Sequence, residues 1–392
     1  MSAVGNYDFL APQRILFGWG RWSEVGPLAA RLGRRAVLVV GSRTLEAAGF
    51  VDELKEVLRR AGVEPVHLAT VMQEPSVAEV DAAAARVREI SRGDDLVLAV
   101  GGGSAIDLAK AVAALATNRA GSSVRDYLEG VGRGLQIVDP PLPVVAMPTT
   151  AGTGSEATKN AVISCTSPSV KKSLRSDGMM PRAVVIDPQL AVSLPPSITA
   201  ETGMDAITQL IESYISRKAR PIPQALAADG LWRALPAIVE AVEDGSSRAA
   251  REAMAQAALL SGMALANSGL GMAHGVAAAL GVHCGLRHGL ACAVMLGPAL
   301  GVNRQVTEAE LAQLAQAARL VGDVPAPTAA EALIERVEDI CRRLRVPRRL
   351  SEVGVRPAQI PDLVRDARGN SMDGNPRSLS DEELTRILEG HL

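Results

Sequence analysis

The first half of the chain alternates short apolar runs with longer amphipathic segments, and this alternation restricts the folds that it can adopt. AVLVV (36–40), VHLATV (66–71) and DLVLAV (95–100) resemble buried strands, and a helical pattern follows each of them. PVVAMPTT and AVVID predict two further strands. Buried strands that alternate with helices predict a parallel sheet covered on both faces.

The second half has a different periodicity. After SLPPSITAETG the strand-like runs stop, and alanine- and leucine-rich helical segments continue to the C-terminus. We therefore predict an α/β domain over residues 1–195 and an all-α domain over residues 196–392. The polar stretch ARGNSMDGNPRSLSDEE predicts a loop and the start of a helix.

Charge and cysteine content exclude several classes of partner. The chain has 41 Lys and Arg against 43 Asp and Glu, a net charge of -2. Without a basic excess, we expect neither a nucleic acid nor a membrane as a partner. The first residues show no secretory signal, and the longest apolar run is shorter than the roughly 20 residues that span a bilayer. The 4 cysteines are irregularly spaced, which indicates neither a disulfide framework nor a thiolate zinc site and favours a cytoplasmic location.

A glycine-rich turn joins the third strand to its helix in DLVLAVGGGSAIDLAK. Gly101, Gly102 and Gly103 allow backbone N–H groups to approach a ligand, and the N-terminus of the following helix favours an anion. Ser104 is the expected N-cap, and Asp107 completes a pattern like a capping box. The turn predicts a diphosphate site, although the spacing is not GxGxxG and a turn that only needs positive φ is the alternative.

A second polar loop, MPTTAGTGSEATKNAVI (147–163), follows another predicted strand. Its hydroxyl groups could bind phosphate, ribose or a carboxamide, and an ordinary Ser/Thr turn is the alternative. Loops at the carboxyl ends of parallel strands converge where such sheets bind ligands. Together the two loops predict a bound dinucleotide.

The end of the first strand bears on the choice between NAD and NADP. AVLVVGSRT reaches Gly41 and Ser42 without an acidic residue that would bind the ribose 2′-hydroxyl and repel a 2′-phosphate. Arg43 could pair with that phosphate, or it could simply be solvated. The pattern favours NADP(H).

Three of the 5 histidines lie in GMAHGVAAALGVHCGLRHG (271–289): His274, His283 and His288. One continuous helix would separate the first from the last by roughly 21 Å, too far for two ligands of one ion. A shared ion therefore requires a break, for which Gly281 and Gly285 are candidates.

An acidic helix, TGMDAITQLIES, supplies the oxygen ligands that such an ion needs. Asp205 and Gln209 are four residues apart and share one helical face. With His274 and His288 they would form a site for zinc, iron or manganese. The alternative is that the histidines are ordinary buried core residues.

Seven long motifs lie along almost the whole chain: PQRILFGWG, GGGSAIDLAKA, PTTAGTGSEAT, DPQLAVSLPP, TGMDAITQLIESYIS, RHGLACAVMLGP and GNPRSLSDEE. In combination they resemble the iron-containing (group III) alcohol dehydrogenase family, relatives of glycerol dehydrogenase and dehydroquinate synthase. The resemblance implies a dehydroquinate synthase-like architecture, in which a dinucleotide-binding α/β domain and a helical domain have the active site in the cleft between them.

The resemblance also implies individual roles. The metal ligands would be Asp205, His274 and His288, and relatives often form dimers or larger oligomers. Besides Gly41 and Ser42, which the strand end predicts, the cofactor-binding positions are Gly101, Gly102, Gly103, Ser104, Asp107, Thr149, Thr150, Thr153, Thr158 and Lys171, with Lys172 as the alternative to Lys171.

Two positions depart from the family pattern. Gln209 stands where metal-dependent members usually carry a histidine ligand, and Ala278 replaces a histidine credited with proton relay. His283, or solvent, could take over that relay. An amide oxygen is a weaker ligand than imidazole for a transition metal, so the substitution places strict iron dependence in question.

The function that these features favour is reversible NAD(P)-dependent oxidoreduction of a small alcohol or aldehyde, assisted by a divalent metal, iron or zinc. A lyase or cyclase of the dehydroquinate synthase type is one alternative and predicts no net change in NAD(P)H. A catalytically silent dinucleotide-binding protein is the other and predicts no metal.

Overall fold

The structure is a computed structural model that describes residues 6–41, 43–166 and 169–392. These residues form two compact units. One unit comprises residues 10–150 and 155–191. The other comprises residues 151–154 and 192–392, together with the described residues before position 10.

The first unit is the α/β unit. Its helices and strands are β1 (Arg14–Phe17), α1 (Val25–Ala29), β2 (Arg35–Gly41), α2 (Arg43–Ala47), α3 (Phe50–Arg60), β3 (Glu64–Val71), α4 (Val77–Ile90), β4 (Asp95–Gly101), α5 (Gly103–Thr117), β5 (Val144–Pro148), β6 (Asn160–Thr166), β7 (Ser169–Arg175) and β8 (Ala183–Ile186). In the described residues six of these strands form one parallel sheet in the order β1-β8-β5-β4-β2-β3. The other two, β6 and β7, form an antiparallel pair.

The inner strands β2, β4, β5 and β8 are buried on both faces, as the strand patterns predict. The prediction of a buried strand at 66–71 is wrong, because β3 lies at the edge of the sheet and none of its residues is fully buried. Along β2, Val37 and Val39 belong to the apolar cluster that includes the side chains of α4 and α5. Leu38 and Val40 point to the opposite face and belong to the cluster that includes those of α1 and α3. Because successive side chains of a strand alternate between faces, a strand covered on both sides must be apolar throughout.

The strand order reverses direction at β2 and β4. The chain leaves β2 for β3 on one side and then continues into β4 on the other side. At the carboxyl ends of these two strands, a Cβ atom added to Gly101 would lie 2.7 Å from the Cα atom of Gly41. Sheets of this type bind ligands at such a reversal.

The second unit is helical. Its helices are α6 (Pro196–Ile215), α7 (Pro221–Glu243), α8 (Arg248–Asn267), α9 (Met272–His283), α10 (His288–Ala317), α11 (Ala326–Arg343), α12 (Ile360–Asp366) and α13 (Asp381–Gly390). α6 packs against α7, α8 and α10, and it is buried along nearly all of its second half. α13 begins after Ser380, within the stretch predicted to start a helix, and Ser380 forms a capping box with Glu383.

The predicted break between the clustered histidines is present. α9 ends at His283, Gly285 adopts a φ of +66°, and α10 begins at His288. A positive φ is readily adopted by glycine, which lets the chain turn back within a few residues.

In the described part of the chain, no single helix has both the length and the apolar composition needed to cross a membrane. α8 and α9 together meet the criterion as a pair bent by 99°, on length and composition alone.

Candidate functional site

Four side chains of the helical unit converge on one point. Asp205 of α6, His274 of α9, and His288 and Cys292 of α10 place their ligand atoms within 4.8 Å of one another. The Oδ1 atom of Asp205 is 3.2 Å from His274 Nε2 and 3.8 Å from His288 Nε2. Ligand atoms about 2.0–2.3 Å from one tetrahedral ion lie about 3.3–3.8 Å apart. The spacing of these atoms fits a single metal ion.

Glycines allow the helices to approach closely enough for this convergence. A Cβ atom added to Gly289, next to His288, would lie 2.3 Å from the carbonyl oxygen of Glu201. At the start of α9, a Cβ atom on Gly271 would lie 2.7 Å from Glu212 Oε1. Both histidines therefore lie in the first turns of helices that pack directly against α6.

Glu212 orients His274. Its Oε2 atom lies 2.6 Å from His274 Nδ1, and its Oε1 atom accepts a hydrogen bond of 2.7 Å from the backbone N–H of Ala273. The Nδ1–H tautomer that this bond selects directs the lone pair of Nε2 toward Asp205. Glu212 was not among the predicted site residues, although it follows Asp205 by two helical turns on the same face.

The electrostatics of the cluster favour positive charge. Burial alone would favour the neutral acid of Asp205, but His288 and His274 outweigh it and hold the pKa of the carboxyl below its ordinary value. The pKa of His288 rises to about 9, chiefly through the charge of Cys292, which with Asp205 outweighs desolvation. The same negative groups would stabilise a divalent cation bound at this position.

The side chain of Gln209, a predicted ligand, contacts the cluster through its nitrogen. Its Nε2 atom donates to Asp205 Oδ1 at 3.1 Å and to the carbonyl oxygen of Thr153 at 3.2 Å. Its Oε1 atom, the one that could bind a metal, accepts a hydrogen bond of 3.1 Å from the Ser261 hydroxyl. The structure thus brings Asp205, His274 and His288 together but directs the oxygen of Gln209 elsewhere.

The structure does not bring His283 to the cluster. His283 is the last residue of α9, nine positions after His274, which corresponds to about 13 Å along a helix. Its Nε2 atom lies 2.6 Å from Asp366 Oδ2 of α12. This hydrogen bond joins α9 to α12 and gives no support to His283 as the proton relay.

The two predicted cofactor segments of the α/β unit meet. The N–H of Thr149 donates to the carbonyl oxygen of Gly101 at 3.0 Å. A Cβ atom on Gly102 would lie 3.3 Å from Thr150 Cγ2. Both segments follow carboxyl ends of adjacent strands, β4 and β5, beside the reversal of the sheet order.

The predicted capping pattern of Ser104 and Asp107 is wrong. α5 begins at Gly103 with Gly102 as its N-cap, and no side chain caps it. The first N–H groups of a helix have no partner within the helix, so this end can receive an anion. Gly102 is extended (φ -74°, ψ -174°), so the helix begins before Ser104. Asp107 instead accepts hydrogen bonds from Ser155 and Val162.

A buried lysine that was not among the predicted site residues organises the second polar loop, residues 147–163. Lys110 is fully buried, and its Nζ atom donates to the carbonyl and hydroxyl oxygens of Ser155, each at 2.8 Å, and to Thr158 Oγ1 at 3.0 Å. Asp107 lies 3.2 Å from the same Nζ atom and also accepts from the N–H of Val162 at 3.0 Å. Asp107 and Thr158, both predicted to bind the cofactor, are thus bonded within the protein.

The other predicted cofactor residues are more scattered. Gly41 ends β2 at the reversal of the sheet order, and Ser42 lies outside the described residues. Thr153 belongs to the helical unit, where its carbonyl accepts from Gln209. Lys171 of β7 pairs with Glu74 at 2.5 Å.

Comparison with known proteins identifies relatives over the whole chain. A model of the iron-containing alcohol dehydrogenases matches residues 12–188, and a model of the C-terminal part of the Fe-containing alcohol dehydrogenase family matches residues 199–392. Long-chain-alcohol dehydrogenase 1 of Geobacillus thermodenitrificans (strain NG80-2) is 35% identical over 378 residues, which cover 95% of this chain and 93% of that protein.

Two solved structures also match this chain over almost its whole length. The crystal structure of a 1,3-propanediol oxidoreductase superposes with a TM-score of 0.91 and 32% identity, covering 99% of this chain and 100% of that one. A sulfoacetaldehyde reductase from Bifidobacterium kashiwanohense, in complex with NAD+, superposes with a TM-score of 0.88 and 29% identity, covering 99% of both chains.

Proposed function

The chain belongs to the iron-containing alcohol dehydrogenase family, and we propose that Asp205, His274 and His288 bind the divalent metal of its alcohol oxidoreductase reaction. The fold is the parallel-sheet and helical architecture of that family, as the sequence predicts. The lyase or cyclase alternative is not favoured, because the similar proteins are alcohol and propanediol dehydrogenases.

The observation that carries the proposal is the spacing of the ligand atoms around Asp205. Two imidazoles from separate helices and a buried carboxylate meet at distances that one ion would impose, and Glu212 orients one of the imidazoles. A bound cation would act as a Lewis acid on the substrate oxygen while a nicotinamide exchanged hydride with the substrate carbon. Asp205 supplies the negative charge that holds the cation in place.

His288 marks the side from which a substrate would reach the cluster. Its side chain is 38% exposed, whereas those of His274 and Asp205 are 4% and 2% exposed. The helix break before His288 leaves it at the first position of α10. We propose a small alcohol or aldehyde as the substrate, approaching past His288.

For the cofactor we propose that the diphosphate binds at Gly101, Gly102, Gly103 and the N-terminus of α5, with Thr149 and Thr150 beside it. The family uses NAD(H), and we propose that this chain prefers NADP(H), because β2 ends at Gly41 without a following carboxylate. Thermal-shift titration with both cofactors tests the choice. Stabilisation by NAD alone would contradict our preference for NADP.

Substituting single glycines tests the diphosphate site. In Gly102→Ala the new methyl group meets only the Thr150 side chain, so we expect the free energy of unfolding to change by less than about 1 kcal/mol. The methyl group would lie where the diphosphate binds, so we expect the cofactor Kd to rise about 10-fold, equal to about 1.4 kcal/mol.

A companion variant for stability is Gly101→Ala, whose methyl group meets the backbone of Gly41 at 2.7 Å. We expect that variant to lose about 1–3 kcal/mol of stability. Urea unfolding and fluorescence titration of the cofactor measure the two effects. An unchanged Kd in Gly102→Ala would place the diphosphate elsewhere.

Glu212→Gln tests the orientation of His274. The amide keeps the shape of the side chain but can present its N–H₂ group to Nδ1, which weakens the selection of the tautomer. Residues that hydrogen-bond a metal ligand contribute about 10–100-fold to metal affinity, so we expect the metal Kd to rise within that range. Competition with a chelator measures the metal Kd. The control is Glu243→Gln on α7, where the side chain is 64% exposed. Equal affinities in both variants would refute the role of Glu212.

The test of the function combines metal analysis with a spectrophotometric assay. The purified protein, loaded separately with Fe²⁺ and Zn²⁺, is screened against alcohols with NAD+ and NADP+, and against aldehydes with the reduced forms. We expect a change in NAD(P)H absorbance that disappears when a chelator removes the metal. Cofactor binding without any absorbance change across the panel would indicate the catalytically silent alternative.

The assembly and the location of the protein stay predictions. We propose a homo-oligomer, a dimer or larger, in the cytoplasm. Light scattering coupled to size-exclusion chromatography tests the first, and a molar mass equal to one chain of 40.9 kDa would contradict it.

A further inference from the structure

We propose that Cys292 is the fourth protein ligand of the metal centre and that its thiolate replaces Gln209 in the coordination sphere. The inference rests on the proposed metal site at Asp205, His274 and His288. Cys292 lies one helical turn after His288 on α10, and its side chain is fully buried. Its position four residues after a ligand places both side chains on one face.

The geometry of the sulfur fits coordination. Cys292 Sγ lies 3.6 Å from His288 Nε2, and it belongs to the group whose ligand atoms all lie within 4.8 Å of one another. A sulfur about 2.3 Å and a nitrogen about 2.0–2.1 Å from one tetrahedral zinc ion would be about 3.5 Å apart. The observed separation matches the value that a shared ion would impose.

The amide of Gln209 cannot be reversed to compete with this thiolate. Its nitrogen faces the carbonyl oxygen of Thr153 and the carboxylate of Asp205, and neither of these oxygens can donate a hydrogen. Turning the amide would bring its oxygen against both acceptors and break two hydrogen bonds. Gln209 therefore serves as a donor that positions Asp205, and the fourth coordination position is left to Cys292.

Charge balance supports the same arrangement. Metal ligands bind as carboxylate, neutral imidazole and thiolate, so Asp205 and Cys292 together contribute two negative charges and the two histidines none. A divalent cation neutralises these two ligand charges, and the buried carboxylate of Glu212 beside His274 adds negative charge outside the ligand set. Because thiolate is a soft ligand that favours zinc, we infer that the centre prefers Zn²⁺ to Fe²⁺. A substrate oxygen would then raise the coordination number to five.

X-ray absorption spectroscopy of the zinc-loaded full-length protein tests the proposal without any variant. We expect one sulfur scatterer at about 2.3 Å alongside nitrogen and oxygen scatterers. One bound zinc per chain with only nitrogen and oxygen neighbours would overturn the assignment of Cys292 but leave the metal site itself intact. Failure to bind zinc or iron at all would instead refute the proposed function.

Cys292→Ser supplies the second test. Loss of a residue that hydrogen-bonds a metal ligand lowers metal affinity about 10–100-fold. Removing a direct ligand should therefore raise the zinc Kd at least about 100-fold and eliminate the sulfur scatterer. The control is Cys341→Ser on α11, where burial raises the pKa of the thiol to about 11 and keeps it protonated. Equal zinc affinity in Cys292→Ser and Cys341→Ser would contradict the proposal.

Discussion

Asp205→Asn should lower kcat/KM for the best alcohol substrate by about 10³-fold, because a Lewis acid supplies several kcal/mol and each 1.36 kcal/mol corresponds to a factor of ten. The asparagine has the same shape and can still accept the hydrogen bond from Gln209. It removes the negative charge that lies between His274 and His288. The metal content of the purified variant should fall with the activity.

Asp229→Asn is the matched control for this prediction. Asp229 lies on α7 of the same unit, where it forms an ion pair with Arg233 at a partly exposed position. We expect that variant to keep its activity and to lose at most about 1 kcal/mol of stability. If Asp205→Asn retained full activity and a full complement of metal, the metal assignment would be wrong.

Lys110→Met should have the largest effect on stability, lowering the free energy of unfolding by about 3 kcal/mol. Removing one member of a buried ion pair leaves its partner uncompensated, which typically costs about 3–5 kcal/mol. Asp107 retains its bonds to Ser155 and Val162 and some exposure, so we expect the lower end of that range. Urea unfolding measures the change.

Two companion variants test the cause. In Lys110→Met/Asp107→Asn the uncompensated charge is gone, so the double variant should be more stable than the sum of the single changes predicts. Lys55→Met on α3 removes an exposed ion pair with Asp52 and should cost less than about 1 kcal/mol. If Lys110→Met unfolded at the same urea concentration as Lys55→Met, the buried network would contribute nothing to stability.

Strong periodicity made most of the α/β unit predictable. The apolar runs at 36–40, 66–71 and 95–100 correspond to β2, β3 and β4, and each following helix is present. The prediction omitted β1 and the β6–β7 pair. β6 buries only alternate side chains, and β7 carries two lysines, so neither has the continuous apolar run that marked the other strands.

The candidate metal site was predictable in part. The distance argument required a helix break between His274 and His288, and the structure has it at Gly285. Cys292 was not a predicted ligand, because the irregular spacing of the cysteines indicates no thiolate zinc site, although Cys292 is one turn after His288. Gln209 was predicted as a ligand, because spacing shows which face a side chain occupies but not the direction of its amide.

The sequence by itself determined most of the strands and helices, their apolar faces, and the need for a helix to end between His274 and His288, because neighbouring residues decide these properties. Tertiary structure alone decided how the buried polar groups pair. The amide of Gln209 is oriented by the carbonyl of Thr153, 56 positions away, and Lys110 is held by a loop 45 positions later. Such pairing depends on the donors and acceptors that folding brings together and deprives of water, and no local pattern records it.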